Sequence, residues 1–172
     1  MKRISIDMDG VIANVYSQFA KMYAAETGKV KTAAEITGIP EGVAFKHVLQ
    51  YVNSPGFFRD APLMEDCQGA VRKLNDHYKI FIVSAAMEFP DSLMEKQSWL
   101  NEHFPFISWQ QMVFCGSKEI IKADIMIDDH FKNLNFFDGE TILFTQPHNK
   151  LADAGIHKRV NNWKEIEQML LP

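Results

Sequence analysis

The chain predicts an α/β fold, a parallel sheet flanked by helices, with a small helical insertion after the first strand. Three observations carry that expectation. From residue 62 onward, short apolar runs alternate with amphipathic helical stretches, the rhythm of right-handed strand–helix–strand crossovers. Runs such as Ile80-Phe81-Ile82-Val83 carry no polar alternation, so they suit strands covered on both faces. A helical block at 14–60 breaks the alternation directly after the first strand.

At the N-terminus, Ile4-Ser5-Ile6 reads as a short strand ending in Asp7-Met8-Asp9-Gly10, where glycine permits a turn. Apolar residues at helical spacing then predict a helix over 11–25, with Val15, Phe19, Met22 and Tyr23 on one face and Thr27-Gly28 ending it. Two more helical candidates lie around Ala33 and over 45–52, divided by Gly38-Ile39-Pro40 and closed by Ser54-Pro55-Gly56. Residues 66–77 form a helix with Ala70, Val71 and Leu74 on one side, and the run at 80–83 forms the second strand. A helix over 91–103 follows Pro90, and Met112-Val113-Phe114, Ile125-Met126-Ile127 and Thr141 to Phe144 supply three further strands. A last helix over 161–170 is capped by Asn161 or Asn162. In domain terms, 1–13 with 61–172 form one core and 14–60 a cap-like insertion.

Composition limits the functions. With 172 residues and 47% hydrophobic content there is apolar material for one sizeable core, which excludes disorder, collagen and coiled coil. Eighteen Lys and Arg against 22 Asp and Glu give a net charge of −4 without a basic stripe, which argues against a nucleic-acid polymer as partner. A small anion held in a local pocket is not excluded by that balance. Two cysteines 48 positions apart, Cys67 and Cys115, make neither a disulfide framework nor a zinc site on their own. The apolar stretch after Lys2-Arg3 is broken at Asp7, too early for a signal peptide, and no run approaches the ~20 residues that span a bilayer. A cytoplasmic protein without membrane contact is expected, and a homodimer is compatible with the composition.

In an open parallel sheet, ligands bind at the carboxyl ends of the strands. Polar groups stand at those ends here: Asp7 and Asp9 after the first run, Ser84 after the second, Asp128 and Asp129 after Ile125-Met126-Ile127, with Lys118 just past Met112-Val113-Phe114. Each alone has an ordinary explanation: a turn for Asp9-Gly10, a loop hydrogen bond for Ser84, a solvated charge for Lys118, a helix cap for Asp128-Asp129. Together, four carboxylates at one sheet edge repel, so they raise one another's pKa or require a cation. A hard divalent ion that keeps waters and takes a phosphate oxygen is the Mg2+ pattern.

That ordered set resembles the haloacid dehalogenase (HAD) superfamily of phosphotransferases. Its DxDx[TV] motif matches Asp7-Met8-Asp9-Gly10-Val11, its hydrophobic strand ending in Ser or Thr matches Ile80 to Ser84, its lysine matches Lys118, and its acidic pair matches Asp128-Asp129. The chain further resembles the 5′(3′)-deoxyribonucleotidases, whose DMDGVL, PGFF, EKxxW, DLLIDD, LFT, HN and NWxEI segments are similar to Asp7–Ile12, Pro55–Phe58, Glu95-Lys96 with Trp99, Asp124–Asp129, Leu143–Thr145, His148-Asn149 and Asn162–Ile166. The likeness runs through nearly the whole chain and is weakest over 17–54.

The resemblance implies a HAD-like fold and a Mg2+-dependent phosphomonoesterase acting on a nucleoside monophosphate. Asp7 is then the nucleophile that carries the phosphoryl group, and Asp9 the acid and base. Asp7, the Asp9 carbonyl and Asp128 hold Mg2+, with Asp129 orienting ligands or waters. Ser84 and Lys118 take the phosphoryl oxygens, Lys96 resembles a second phosphate-contacting lysine, and Phe57 or Phe58 offers a stacking platform for a base, whereas Phe19 and Phe45 are expected in the core. Three departures stand out: Ser84-Ala85 where the family continues Thr-Ser, His130 where it often has a basic residue or Lys, and an insertion shorter than in the mammalian enzymes. They touch base preference and 5′ versus 3′ preference. The competing readings are a HAD phosphatase of another ester such as a sugar phosphate, a response-regulator receiver, and a non-catalytic binding protein. A receiver lacks both the helical insertion and the late acidic pair.

Overall fold

The computed structural model describes residues 1–172. Its strands β1 (Arg3–Asp7), β2 (Lys79–Ser84), β3 (Met112–Phe114), β4 (Ile125–Asp128), β5 (Glu140–Phe144) and β6 (Lys158–Val160) make one sheet in the order β3-β2-β1-β4-β5-β6. Every pairing is parallel. The chain winds outward from β1 through β2 to β3, then returns to β4 on the other side of β1. The strand order therefore reverses between β1 and β4, and the loops leaving their carboxyl ends diverge around a crevice. Asp7 ends β1 and Asp128 ends β4, so the topology alone sets these two carboxylates on either side of it.

The strand residues alternate in allegiance. Ile4, Ile6, Ile80, Ile82, Ile125, Ile127, Ile142 and Phe144 join a 25-residue cluster with Trp99, Leu100, Trp163 and Ile166. That cluster seats α5 (Cys67–His77), α6 (Ser92–His103) and α8 (Trp163–Leu170) on the sheet. Met126 and Leu143 point the other way and pack with Leu134 of the short α7 (Phe131–Leu134). Both large indoles have their N–H satisfied in the interior: Trp99 Nε1 donates to Ala61 O (2.7 Å) and Trp163 Nε1 to Val11 O (2.8 Å). Those two bonds pin the chain where it leaves β1 and where it re-enters the sheet core.

Between these points lies the helical insert, α1 (Val15–Thr27), α2 (Ala33–Ile36), α3 (Glu41–Ala44) and α4 (Val48–Val52). It has an apolar cluster of its own, nine buried residues dominated by Tyr16, Phe19, Phe45, Tyr51, Phe57 and Phe58. Phe19 stacks on Phe45 at 5.4 Å and packs on Phe57 at 4.9 Å, distances at which aromatic pairs attract.

Several expected boundaries move. The helix predicted over 11–25 begins at Val15, because residues 10–13 close a tight turn in which Ile12 N and Ala13 N both donate to Met8 O. Val11 and Ile12 are buried in the main core rather than on a helix face, and Asn14 caps the helix by accepting from Ser17 N. The segment expected as one helix over 45–52 is interrupted, with Phe45 in extended conformation ending α3 and His47 preceding α4. Asp66 and Asp91 precede their helices rather than joining them, and Asn162, not Asn161, caps α8 by accepting from Glu165 N. The edge strand β6 has no counterpart among the elements expected from sequence: Lys-Arg-Val at a sheet edge carries neither an apolar run nor an alternation.

Candidate active site

At the carboxyl edge of β1, Asp7 is buried and Asp9 half-buried, separated by Met8, which turns into the core. Gly10 has φ +78°, and a Cβ there would stand 2.3 Å from Asp129 Oδ2. Only glycine lets the turn after β1 approach the acidic pair after β4 so closely. Asp129 is held from behind, its carbonyl accepting from Asn149 Nδ2 (2.8 Å) and facing His148 Nε2 (3.0 Å). The likeness at His148-Asn149 thus has a structural content that its sequence position does not reveal.

Lys118 lies between the first and last acidic motifs. Its ammonium is 2.6 Å from Asp7 Oδ1 and 2.6 Å from Asp128 Oδ2, and its side chain is 3% exposed. Burial pulls the lysine pKa down, but Asp128 and Asp7 outweigh it and carry the ammonium above its ordinary range. Asp7 is pushed up to about 7, chiefly by burial, with Lys118 opposing and Asp128 and Asp9 adding to the rise. Asp129 is also driven upward by burial and by Asp7 and Asp128. Asp128 is the best satisfied of the group. Its carboxylate accepts from His130 N (2.9 Å), from Asn133 Nδ2 and from Lys118. Asn133 was not singled out by sequence; its signal would have been its place on the helix directly after the acidic pair.

On the other side, Lys96 is almost wholly buried, contrary to the exposed position a helix lysine usually takes. Its ammonium donates to Asp9 Oδ2 and to Ser84 Oγ (2.9 Å), and lies 4.2 Å from the centre of the Phe58 ring. Glu95 beside it accepts from the backbone N–H of Gly56, Phe58 and Arg59. The PGFF and EKxxW segments are therefore one unit: Glu95 fixes the loop, Trp99 fixes Ala61, and Lys96 is left aimed at the carboxylates.

Above these groups is a cavity of about 270 Å³. Asp7, Asp9, Lys96, Lys118 and Asp129 line one side, and Phe19, Val48, Val52, Phe57 and Phe58 of the insert line the other. Phe57 and Phe58 are 1% and 4% exposed, so each serves the insert's core and the cavity wall at once. Phe19, expected in the core, does both as well; Phe45 is core alone.

Where insert meets sheet, Glu41 of α3 reaches His148, Oε1 to Nδ1 at 2.9 Å, and stands 3.8 Å from His130 Nε2. Tyr16 Oη is 3.1 Å from the same His148 Nδ1. Burial pushes the Glu41 pKa up, but the hydrogen bond and charge of His148, helped by His130, bring it down to about 2. A folded value below the ordinary 4.5 stabilises the fold above pH ~4.5 and the contribution fades as the pH falls toward 2. In metal-free buffer, Glu41→Gln should therefore melt lower than wild type near pH ~6, and the gap should narrow by pH ~3.5. A gap equal at both pH values would show that Glu41 gains nothing from its histidines.

The carboxylates of Asp7, Asp128 and Asp129 have ligand oxygens within 4.8 Å of one another, all buried. Asp129 Oδ1 and Asp9 Oδ1 are buried without any hydrogen-bond partner. Orphaned oxygens are costly in a dry site, and an all-oxygen donor set fits a hard divalent cation. This cluster is a candidate metal site.

A parallel sheet with a helical insert after β1, acidic residues after β1 and β4, and buried lysines between them is the arrangement of the HAD-like fold class. Solved structures agree on the fold: a haloacid dehalogenase-like hydrolase from Streptococcus pneumoniae aligns with TM-score 0.65 at 12% identity over 98% of both chains. A HAD-type hydrolase from Bacillus subtilis, solved with magnesium bound, aligns with TM-score 0.62 at 11% identity over 98% of both chains. The family model described as 5′ nucleotidase, deoxy (pyrimidine), cytosolic type C protein matches residues 1–172, and the chain belongs to that family. The 5′(3′)-deoxyribonucleotidase of Bacillus subtilis is 37% identical over 99% of both chains. A Staphylococcus aureus relative provisionally assigned the same activity is 39% identical over 99% of this chain and 96% of its own. No helix is long and apolar enough to cross a membrane.

Proposed function

We propose that this chain hydrolyses nucleoside monophosphates, deoxyribonucleotides foremost, to nucleoside and phosphate through an aspartyl phosphate at Asp7, as a cytoplasmic enzyme. The observation that carries the reading is the pairing of a buried carboxylate–lysine cluster with an aromatic wall across one cavity. Residues 14–60 would act as a cap over the core formed by 1–13 and 61–172, its phenylalanines, Phe57 and Phe58 first, presenting an apolar face to a nucleobase.

Both protein contacts of Asp7 fall on Oδ1, from Met8 N (2.8 Å) and Lys118, which leaves Oδ2 without a protein donor. That oxygen attacks phosphorus in line with the ester bond, the P–O bond to the nucleoside breaks, and the leaving oxygen takes a proton from Asp9. The proton would sit on Asp9 Oδ1, the buried oxygen with no partner, since Oδ2 accepts from Lys96. A water then attacks the phosphoaspartate, returns its proton to Asp9, and inorganic phosphate leaves with Asp7 restored. Lys118, Lys96 and Ser84 would hold the phosphoryl oxygens. Asp7, the Asp9 carbonyl and Asp128 would hold Mg2+, with Asp129 orienting its waters. The bound ion supplies the charge that lets a carboxylate approach an anionic ester.

Phosphate release from 5′- and 3′-deoxynucleotides, ribonucleotides and sugar phosphates, each with Mg2+ and with excess chelator, tests this reading. Deoxynucleotides should be turned over fastest, and release should stop with chelator and resume when Mg2+ is restored. A sugar phosphate turned over faster than every nucleotide would overturn the substrate class. Undiminished release in chelator would remove the metal.

A further inference from the structure

We propose that Glu41, His130 and His148 form a second metal site, for a zinc-class transition ion, that ties the insert to the sheet beside the cavity. The donor atoms of these three residues lie within 4.8 Å of one another. His148 is prepared as a ligand. The Asp129 carbonyl, 3.0 Å from Nε2, can only accept, so Nε2 carries a hydrogen and Nδ1 is the nitrogen left to meet a metal. A histidine whose other nitrogen donates to a carbonyl is the usual arrangement around a bound metal. Nδ1 faces Glu41 Oε1 at 2.9 Å, an ion pair whose shared proton a metal ion can replace. The Tyr16 hydroxyl stands 3.1 Å from the same nitrogen.

Spacing and chemistry agree on the class of ion. Donors set tetrahedrally about 2.1 Å from zinc lie about 3.4 Å apart. The two separations from Glu41 Oε1, 2.9 Å to His148 and 3.8 Å to His130, bracket that value. Two imidazoles and one carboxylate favour zinc, nickel or cobalt, whereas the all-oxygen cluster of Asp7, Asp128 and Asp129 favours magnesium. Glu41 belongs to the insert and both histidines to the sheet side, and Glu41 and His130 line the cavity. An ion here would lock the two walls together and slow turnover without displacing Mg2+.

The full chain in millimolar Mg2+ would be titrated with Zn2+ by calorimetry and with Co2+ by visible absorption. One saturable site is expected, with a Co2+ band showing nitrogen ligation, weakened at least about tenfold in His148→Gln and Glu41→Gln and retained in Asp128→Asn. Far-UV circular dichroism checks each variant, and Glu41→Gln, on the insert rather than in the sheet core, keeps the test open should His148→Gln not fold. Absence of saturable binding overturns the proposal. So does an affinity unchanged in Glu41→Gln and His148→Gln, or one lost in Asp128→Asn alone. Binding is read without turnover, so its failure and failure of the hydrolase reading are separate results.

Discussion

Asp7→Asn should lower phosphate release by about 10⁴-fold or more while leaving the metal-free protein at least as stable as wild type. The two halves of this result have separate causes. Oδ1 of Asp7 accepts from Met8 N and lies against Lys118, and an asparagine oxygen in the same place retains both contacts. The amide nitrogen then replaces Oδ2, the oxygen proposed to attack phosphorus, and an amide is no nucleophile. Stability does not suffer, because the charge removed is one that burial and neighbouring carboxylates already disfavour, pushing Asp7 up to about 7. Lys118 keeps Asp128 as its partner. Steady-state release and a thermal melt without metal decide the matter. Turnover within tenfold of wild type would remove Asp7 from the nucleophile's place, and loss of activity together with unfolding would make its role structural.

The residues involved show what a linear reading can reach. Asp7, Ser84 and Asp128 each end an apolar run, and in a parallel sheet such ends converge, so the meeting of Asp7 with Asp128 was legible from pattern alone, whereas Ser84 reaches the acidic residues only through Lys96. Lys118 was legible only by order, as the lysine between two strands. The burial of Lys96 was not, since a charge on a helix is ordinarily solvated; it is buried because Glu95 and Trp99 draw that face of α6 onto the loop at 56–61. The contact of Tyr16 and Glu41 with His148 joins segments more than 100 residues apart, and no local periodicity encodes it. The start of α1 was misplaced because Val11 and Ile12 are apolar for the sake of the sheet core, and periodicity does not distinguish a buried turn from a helix face. β6 was missed because its position is set by pairing with β5 at the sheet edge, not by its own three residues.

Lys118→Met should cost both activity and stability, and Mg2+ should restore only the stability. In the wild type one ammonium serves two buried carboxylates, Asp7 Oδ1 and Asp128 Oδ2, with a third, Asp129, close by. Methionine fills the space of the aliphatic stem and removes the charge, leaving three carboxylates buried without a counter-ion. Breaking a buried ion pair from one side costs about 3–5 kcal/mol, which for a chain of this length lowers the melting temperature by roughly 10 °C. A divalent cation at the same carboxylates supplies the missing charge and, binding only the folded state, raises the melting temperature with its concentration. The mutant should therefore gain more from millimolar Mg2+ than wild type does. Activity stays low by about 10²–10³-fold even at saturating Mg2+, because the lysine proposed to neutralise a phosphoryl oxygen is gone. Melts of both proteins across a Mg2+ series, with phosphate release measured alongside, test each half. Equal Mg2+ gains in mutant and wild type would show that Lys118 and the metal do not share these carboxylates, and wild-type turnover in the mutant would remove Lys118 from the phosphate site.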